Sequence, residues 1–270
     1  MQERTVLITG STDGIGKQTA LELAQMGATV LLHGRDRQRG TSVLGELRQA
    51  TGNQHIDLFI ADLSRIDQVR KLAADVKAKY SHLHVLINNA GIYMNERVLT
   101  PDGLEMTFAV NHLAPFILTH DLLDLLKHSA PSRLITVSSV AHQRGRLDAQ
   151  NLQGERKFSP YVAYSLSKLA NILFTVEIAE RLAGTGITAN CLHPGVINTK
   201  LLRDGFSIEG GSPEEGAETS VYLATSPAVE EVTGKYFVKK REVRLSSHAV
   251  DRRDRHELWR ISEKLAGIST

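Results

Sequence analysis

Short apolar runs alternate with longer stretches of mixed polarity through most of the chain. Thr5–Thr9, Ala28–His33, Ile56–Ile60, His84–Asn88, Arg133–Ser138 and Ile187–Leu192 each precede an amphipathic or polar segment long enough for a helix. That alternation predicts βαβ units. Apolar residues are consecutive within the runs, as in Val85-Leu86-Ile87 and Leu134-Ile135-Thr136-Val137, which predicts strands covered by helices on both faces. The sheet is expected to be mostly parallel. No repeat, low-complexity linker or Pro/Gly-rich break divides the pattern, so residues 1–270 read as one α/β domain.

Several helix limits carry side-chain signals. Ser64-x-x-Asp67 places an N-cap hydroxyl after a strand, and Ser212-Pro213-x-Glu215 offers a capping box for a helix running to about Thr225. Leu258, Ile261, Ser262 and Leu265 share one helical face with Trp259 beside it, predicting a terminal helix packed on the body. Thr199–Gly211 is different: it holds three glycines and mixes Leu201, Leu202, Phe206 and Ile208 with charge. It reads as a loop with an apolar side, serving either to cover a substrate or simply to connect.

Composition narrows the function classes. With 41% hydrophobic residues, 23% charged residues and a net charge of +2, nothing asks for nucleic acid. The single cysteine, Cys191, excludes an intramolecular disulfide and a cysteine-based metal cluster, and its strand setting favours a core role. The 11 histidines show no metal-ligand spacing, and no metal is expected; His193, beside Pro194, reads as a packed histidine. No uninterrupted apolar run approaches the ~20 residues that span a bilayer, and the start leaves no room for a signal peptide, so the expectation is a cytoplasmic protein. Lys239, Lys240, Arg241, Arg244, Arg252, Arg253 and Arg255 would allow a peripheral membrane contact, but interspersed Glu242, Asp251 and Asp254 favour a solvated face.

Two stretches carry chemistry. Tyr164-Ser165-Leu166-Ser167-Lys168 sets a phenol and an ammonium four residues apart, on one face of a helix. A neighbouring ammonium favours the phenolate, so the spacing predicts a Tyr164 pKa lowered toward the range of proton transfer. After the first strand, Gly10, Ser11, Thr12, Asp13, Gly14, Ile15 and Gly16 form a glycine-rich turn opening a helix over 17–26, a seat for a pyrophosphate on backbone amides. The second strand ends in Gly34-Arg35, and an arginine there matches the 2′-phosphate of NADP. Asp36 and Asp13 weigh the other way, leaving NAD open.

Taken in order, these motifs resemble the short-chain dehydrogenase/reductase family over nearly the whole length. Thr9-Gly-x-x-x-Gly14-Ile15-Gly16 resembles its cofactor turn. Asp62, followed by Leu63, resembles the residue that binds the adenine amino group; Asn89, Ala90 and Gly91 resemble the segment closing strand four. Pro194, Gly195, Val196 and Thr199 resemble the loop that holds the nicotinamide. Asn111, Ser139, Tyr164 and Lys168 fall where the family carries its catalytic four. Asn151–Glu155, Leu169–Phe174 and Gly234–Phe237 resemble the retinol-dehydrogenase-like group.

The resemblance implies a Rossmann-type, doubly wound sheet and hydride transfer between a nicotinamide and a carbonyl or alcohol. It implies that Tyr164 exchanges the proton, that Lys168 lowers the Tyr164 pKa and holds the nicotinamide ribose, and that Ser139 orients the carbonyl. Ser138 and Ser139 are both candidates for that last role, with the family pattern favouring the second. Asn111 would anchor a water-linked proton path. The expected protein prefers NADP(H) and takes a small hydrophobic carbonyl or alcohol, retinoid-, steroid- or lipid-like, in a possible homo-oligomer. The alternative is a non-catalytic dinucleotide-binding sensor or scaffold.

Overall fold

The computed structural model describes residues 1–206 and 208–268. β1 (Thr5–Ile8) leads into α1 (Gly14–Gln25), and β2 (Thr29–Gly34), α2 (Arg37–Thr51), β3 (Ile56–Ile60) and α3 (Ile66–Lys79) repeat the unit. β4 (Val85–Asn88) is followed by a broken helix: α4 (Met106–Phe108), a π-turn (Ala109–Leu113), α5 (Ala114–Asp121) and α6 (Leu123–His128). Then come β5 (Ser132–Val137), a 3-10 turn (Val140–Arg144), α7 (Pro160–Arg181), β6 (Ile187–His193), α8 (Lys200–Gly205) and α9 (Pro213–Thr225). β7 (Tyr236–Val238), β8 (Arg241–Glu242) and α10 (Arg252–Ala266) close the chain.

The strands form one sheet in the order β3-β2-β1-β4-β5-β6-β7-β8, parallel except for the β7–β8 pair. This is the doubly wound arrangement expected, and it changes direction between β1 and β4, where the strand ends open a crevice. Alternate strand residues feed two cores. Leu7, Leu31, Leu86, Leu134 and Ala189 pack with α3, α5 and α7. Val6, Ile8, Val30, Leu32, Ile87, Ile135 and Leu192 pack with α1, α2 and α9 on the other side.

Ser212 accepts the Glu215 amide at 3.4 Å and starts α9 as expected. Ser64 does not start α3: its own amide is bound by Asp62 Oδ1 at 2.9 Å, and the first helical amide, Ile66 N–H, is taken by Asp102 Oδ2 at 2.9 Å. A carboxylate remote in sequence thus replaces the local cap. Thr199–Gly211 is not a plain loop either, because Thr199 Oγ1 accepts the Leu202 amide at 3.3 Å and caps α8.

By length and composition α7 could cross a membrane, yet 83% of its most apolar window is buried inside the protein. The expected terminal helix, α10, covers one flank of it. Trp259 stacks on Phe174 at 6.2 Å between centroids, meets Phe116 at 5.0 Å, and carries the Arg181 guanidinium at 4.0 Å over its ring. Ser262 bonds His112 Nε2 at 2.8 Å.

Candidate active site

The glycine-rich turn is held by side chains from three strands. Gly10 has φ +65°, a conformation that suits glycine, and its amide donates to His33 Nδ1 at 3.1 Å. His33 Nε2 faces the Ala61 carbonyl at 3.1 Å, so the proton sits on Nε2 and Nδ1 is the acceptor. Burial pulls this imidazole down to about 4, which keeps it neutral. Thr9 Oγ1 accepts the Asn89 and Ala90 amides, both at 3.0 Å, while Asn89 Nδ2 donates to the Thr9 and Gly10 carbonyls. A Cβ on Gly16 would run into Asn89 Nδ2 and the Gly10 carbonyl. The ends of β1 and β4 are therefore locked together, and α1 opens directly after the turn.

The expected turn residues divide by role. Ser11 is fully buried: its amide donates to the His33 carbonyl, its hydroxyl donates to Ile8 O, and it accepts the His33 amide. Thr12 lies on Gly34, where a Cβ would come within 2.6 Å of Thr12 Cγ2. Asp13 caps α1 at the Gly14 amide, 2.8 Å, and Ile15 packs on Gly216. Arg35 is exposed at the tip of β2. Both acidic neighbours that weighed against NADP are engaged: Asp36 caps α2 by accepting the Arg39 amide at 2.8 Å, and Asp13 lies 3.7 Å from the Arg39 guanidinium. Asp62 and buried Leu63 stand at the end of β3, on the same edge of the sheet.

On the other side of the crevice the catalytic candidates converge. Asn111 sits in the π-turn because residue 115 is proline, which has no N–H for the Asn111 carbonyl and would crowd it in a regular α-helix. Its side chain is fully engaged, accepting the Ile92 amide at 2.8 Å and donating to Ile92 O and Ser167 Oγ, both at 3.0 Å. A Cβ on Gly91 would lie 3.3 Å from Lys168 Nζ and 3.6 Å from Asn111 Oδ1, so Gly91 brings these groups together. Glu105 seats the helix by accepting the Thr107 and Phe108 amides, each at 2.8 Å.

Ser138 and Ser139 separate clearly. Ser138 donates its hydroxyl to the Lys168 carbonyl at 2.7 Å. Ser139 caps the 3-10 turn at the Ala141 amide, 3.2 Å, and its hydroxyl acts on Tyr164. Gly145, ending that turn, lies so close to α7 that a Cβ would be 2.6 Å from Ser165 O.

The electrostatics of the Tyr164–Lys168 pair differ from the expectation. Lys168 Nζ stands 5.7 Å from the Tyr164 ring centroid. Burial dominates, pushing the Tyr164 phenol up to about 12; the Ser139 hydroxyl opposes this, and Tyr161 and Tyr93 add to it. Burial likewise brings the Lys168 ammonium down to about 8. Helical spacing shows that the groups share a face but not how much water they lose, and here desolvation sets the direction of both shifts.

Lys168 has three N–H bonds and, among the described residues, a single protein acceptor, the Val137 carbonyl at 3.1 Å. A buried ammonium so placed fits the hydroxyls of a ribose, as the amide-lined turn fits a pyrophosphate. The third wall follows β6. His193 is held near 4, chiefly by burial, and Pro194, Gly195 (φ +102°) and exposed Val196 lead to Thr199, whose methyl lies 3.1 Å from a Cβ placed on Gly14.

Tyr93 and Phe206 complete the site. Tyr93 lies 5.5 Å from the Tyr164 ring, and Phe206, just past α8, lies 6.0 Å from Tyr164 and 5.0 Å from Tyr93. His33, Tyr93 and Tyr161 carry no motif signal; their roles arise from the fold alone. Thr9 was visible as the first residue of the turn motif, but its two amide bonds to the β4 end were not.

Comparison with known proteins agrees with this geometry. A family model described as short chain dehydrogenase matches residues 4–207. Retinol dehydrogenase 11 of Homo sapiens is 43% identical, covering 98% of this chain and 86% of that protein. Retinol dehydrogenase 14 of Mus musculus is 42% identical, with 99% and 87% covered. Among solved structures, an uncharacterized protein from Mycobacterium paratuberculosis superimposes with a TM-score of 0.83 at 35% identity, covering 98% of this chain and 94% of that one. A protein described as a short chain dehydrogenase from Escherichia coli CFT073, complexed with NADPH, gives 0.74 at 27% identity, with 89% and 98% covered. The motif order, the β1–β4 crevice and the match across most of the chain lead to one assignment: this protein is an oxidoreductase of the short-chain dehydrogenase family.

Proposed function

We propose that the protein is an NADP(H)-preferring reductase or dehydrogenase of hydrophobic carbonyl compounds and their alcohols, with Tyr164 as the proton-transferring group. The observation that carries this reading is the convergence of Ser139, Tyr164 and Lys168, with the Val137 carbonyl the one acceptor of the Lys168 ammonium among the described residues. The nicotinamide, when bound, supplies or accepts the hydride. A phenol held neutral by burial is a proton donor, suited to the oxygen that gains charge as a carbonyl is reduced. The Ser139 hydroxyl orients that oxygen and stabilises its developing charge. Lys168 directs its remaining N–H groups to the nicotinamide ribose, and Gly91 leaves room for its ammonium beside Asn111.

Arg35 at the tip of β2 supports the preference for NADP, since Asp36 and Asp13 have other partners and Arg39 stands beside Asp13. The NADPH of the Escherichia coli relative points the same way. Tyr93, Tyr161 and Phe206 give the substrate side an apolar wall, and the retinol dehydrogenases among the relatives support a retinoid-, steroid- or lipid-like substrate. The test is NADPH consumption with a panel of aldehydes and ketones, comparing wild type with Tyr164→Phe. Turnover that falls by about 10²–10⁴ in the variant is expected. Equal rates would remove Tyr164 from the mechanism, and no turnover of any carbonyl or alcohol would favour a dinucleotide-binding sensor.

A further inference from the structure

Phe206 packs against the ring of Tyr164. Its ring centroid lies 6.0 Å from Tyr164, 5.0 Å from Tyr93 and 6.2 Å from Tyr161. Tyr164 is only 6% exposed, with the Tyr93 and Phe206 rings against its own. Gly205 permits the arrangement: a Cβ there would be 2.7 Å from Tyr93 Cγ, so a side chain would lift the end of α8 off the Tyr93 ring. Asn95 Nδ2 donates to the Asp204 carbonyl at 3.1 Å and fixes the same turn from the β4 side. The start of α8 faces the cofactor turn through Thr199, its middle reaches Gly91 through Leu201, and its end delivers Phe206 to the phenol.

We propose that Phe206 is a built-in plug: its ring holds the place of a substrate's apolar group on Tyr93, Tyr161 and Tyr164, and a carbonyl compound reaches Tyr164 by replacing it. This rests on Tyr164 being the proton donor. Such a plug costs every substrate the same, and what a substrate restores decides whether it still binds well. A large apolar or flat unsaturated group regains the aromatic contacts that the displaced ring gives up. A small or polar carbonyl regains none and is rejected without any clash or repelling charge. Phe206 in this sense sets the affinity a substrate must exceed, acting by competition for the site.

Phe206→Ala and Phe206→Leu test the proposal in two assays. The first is NADPH-dependent reduction of propanal and of 2-naphthaldehyde. In Phe206→Ala, kcat/KM for propanal and for 2-naphthaldehyde is expected to rise alike, about three- to tenfold, the worth of one aromatic pair, mainly through KM. The second is calorimetric titration with naphthalene-2-carboxamide, whose amide carbonyl resists reduction. Its affinity is expected to rise by a similar factor in Phe206→Ala and less in Phe206→Leu. Reduction of both aldehydes weakened alike, or an amide affinity unchanged or lowered, would overturn the plug and make the ring a supporting wall. The titration needs no turnover, so tighter amide binding in a protein that reduces nothing would retain the plug and reject the proton-donor reading.

Discussion

Ser138 spends its hydroxyl on the main-chain carbonyl of Lys168, 2.7 Å away, and so leaves the adjacent Ser139 as the hydroxyl that serves Tyr164. Two neighbouring serines thus have separable effects. Ser139→Ala is expected to lower kcat by about 10²–10³ with little change in stability, as loss of a group that stabilises developing charge does. Ser138→Ala is expected to cost about 1 kcal/mol in urea unfolding while retaining most of the turnover. Steady-state kinetics and denaturation midpoints on both variants check this, and a reversed pattern would exchange the roles.

The neutral imidazole under the glycine turn makes the fold sensitive to acid. His33 is lowered from 6.5 to about 4, so an unfolded chain takes up its proton before the folded one does. Its contribution is complete above about pH 6.5 and is lost as pH falls toward 4, at most about 3 kcal/mol. Protonation at Nδ1 would also break the bond from the Gly10 amide, loosening the dinucleotide turn. Urea unfolding between about pH 7 and pH 5 is expected to show a smaller pH slope in His33→Asn than in wild type.

Arg35→Ala should raise the KM for NADPH by about tenfold or more and leave that for NADH nearly unchanged, since only the former presents a phosphate to a guanidinium. Initial rates with both cofactors decide it. Parallel changes would show that Arg35 does not read the 2′-phosphate.

Glycines at two helical positions are expected to respond in opposite directions. Gly16→Ala forces a methyl into Asn89 and the Gly10 carbonyl, which should cost about 1–3 kcal/mol and weaken dinucleotide binding. Gly45, in α2, has no atom within 4 Å of an added Cβ. Gly45→Ala should therefore stabilise by up to about 1 kcal/mol through helix propensity alone. Thermal unfolding of the two variants, with and without NADPH, measures both effects.

How legible each part was follows from the range of the forces involved. The first six strands stand out because each has at least four residues, buried apolar side chains among them, whereas β7 and β8 have three and two residues, too few for a pattern. The α9 cap lies within four residues and was readable. The α3 cap depends on Asp102, brought in by tertiary structure, and was not. Tyr164 and Lys168 declare their shared face by spacing, but the upward shift of the phenol follows from burial among rings contributed by Tyr93 and Tyr161. Phe206 was visible as an apolar residue in a glycine-rich stretch; its meeting with Tyr93 joins segments far apart in sequence.

The cover that α10 places on α7 has a consequence for biosynthesis. The helix carrying Tyr164 and Lys168 is made well before residues 252–266, and until these follow, its flank at Phe174 and Arg181 lacks Trp259. During that interval the growing chain displays a helix with the hydropathy of a membrane span whose α10-facing flank is uncovered. Premature termination just before Arg252 would leave every catalytic candidate in place in a product prone to chaperone capture and aggregation.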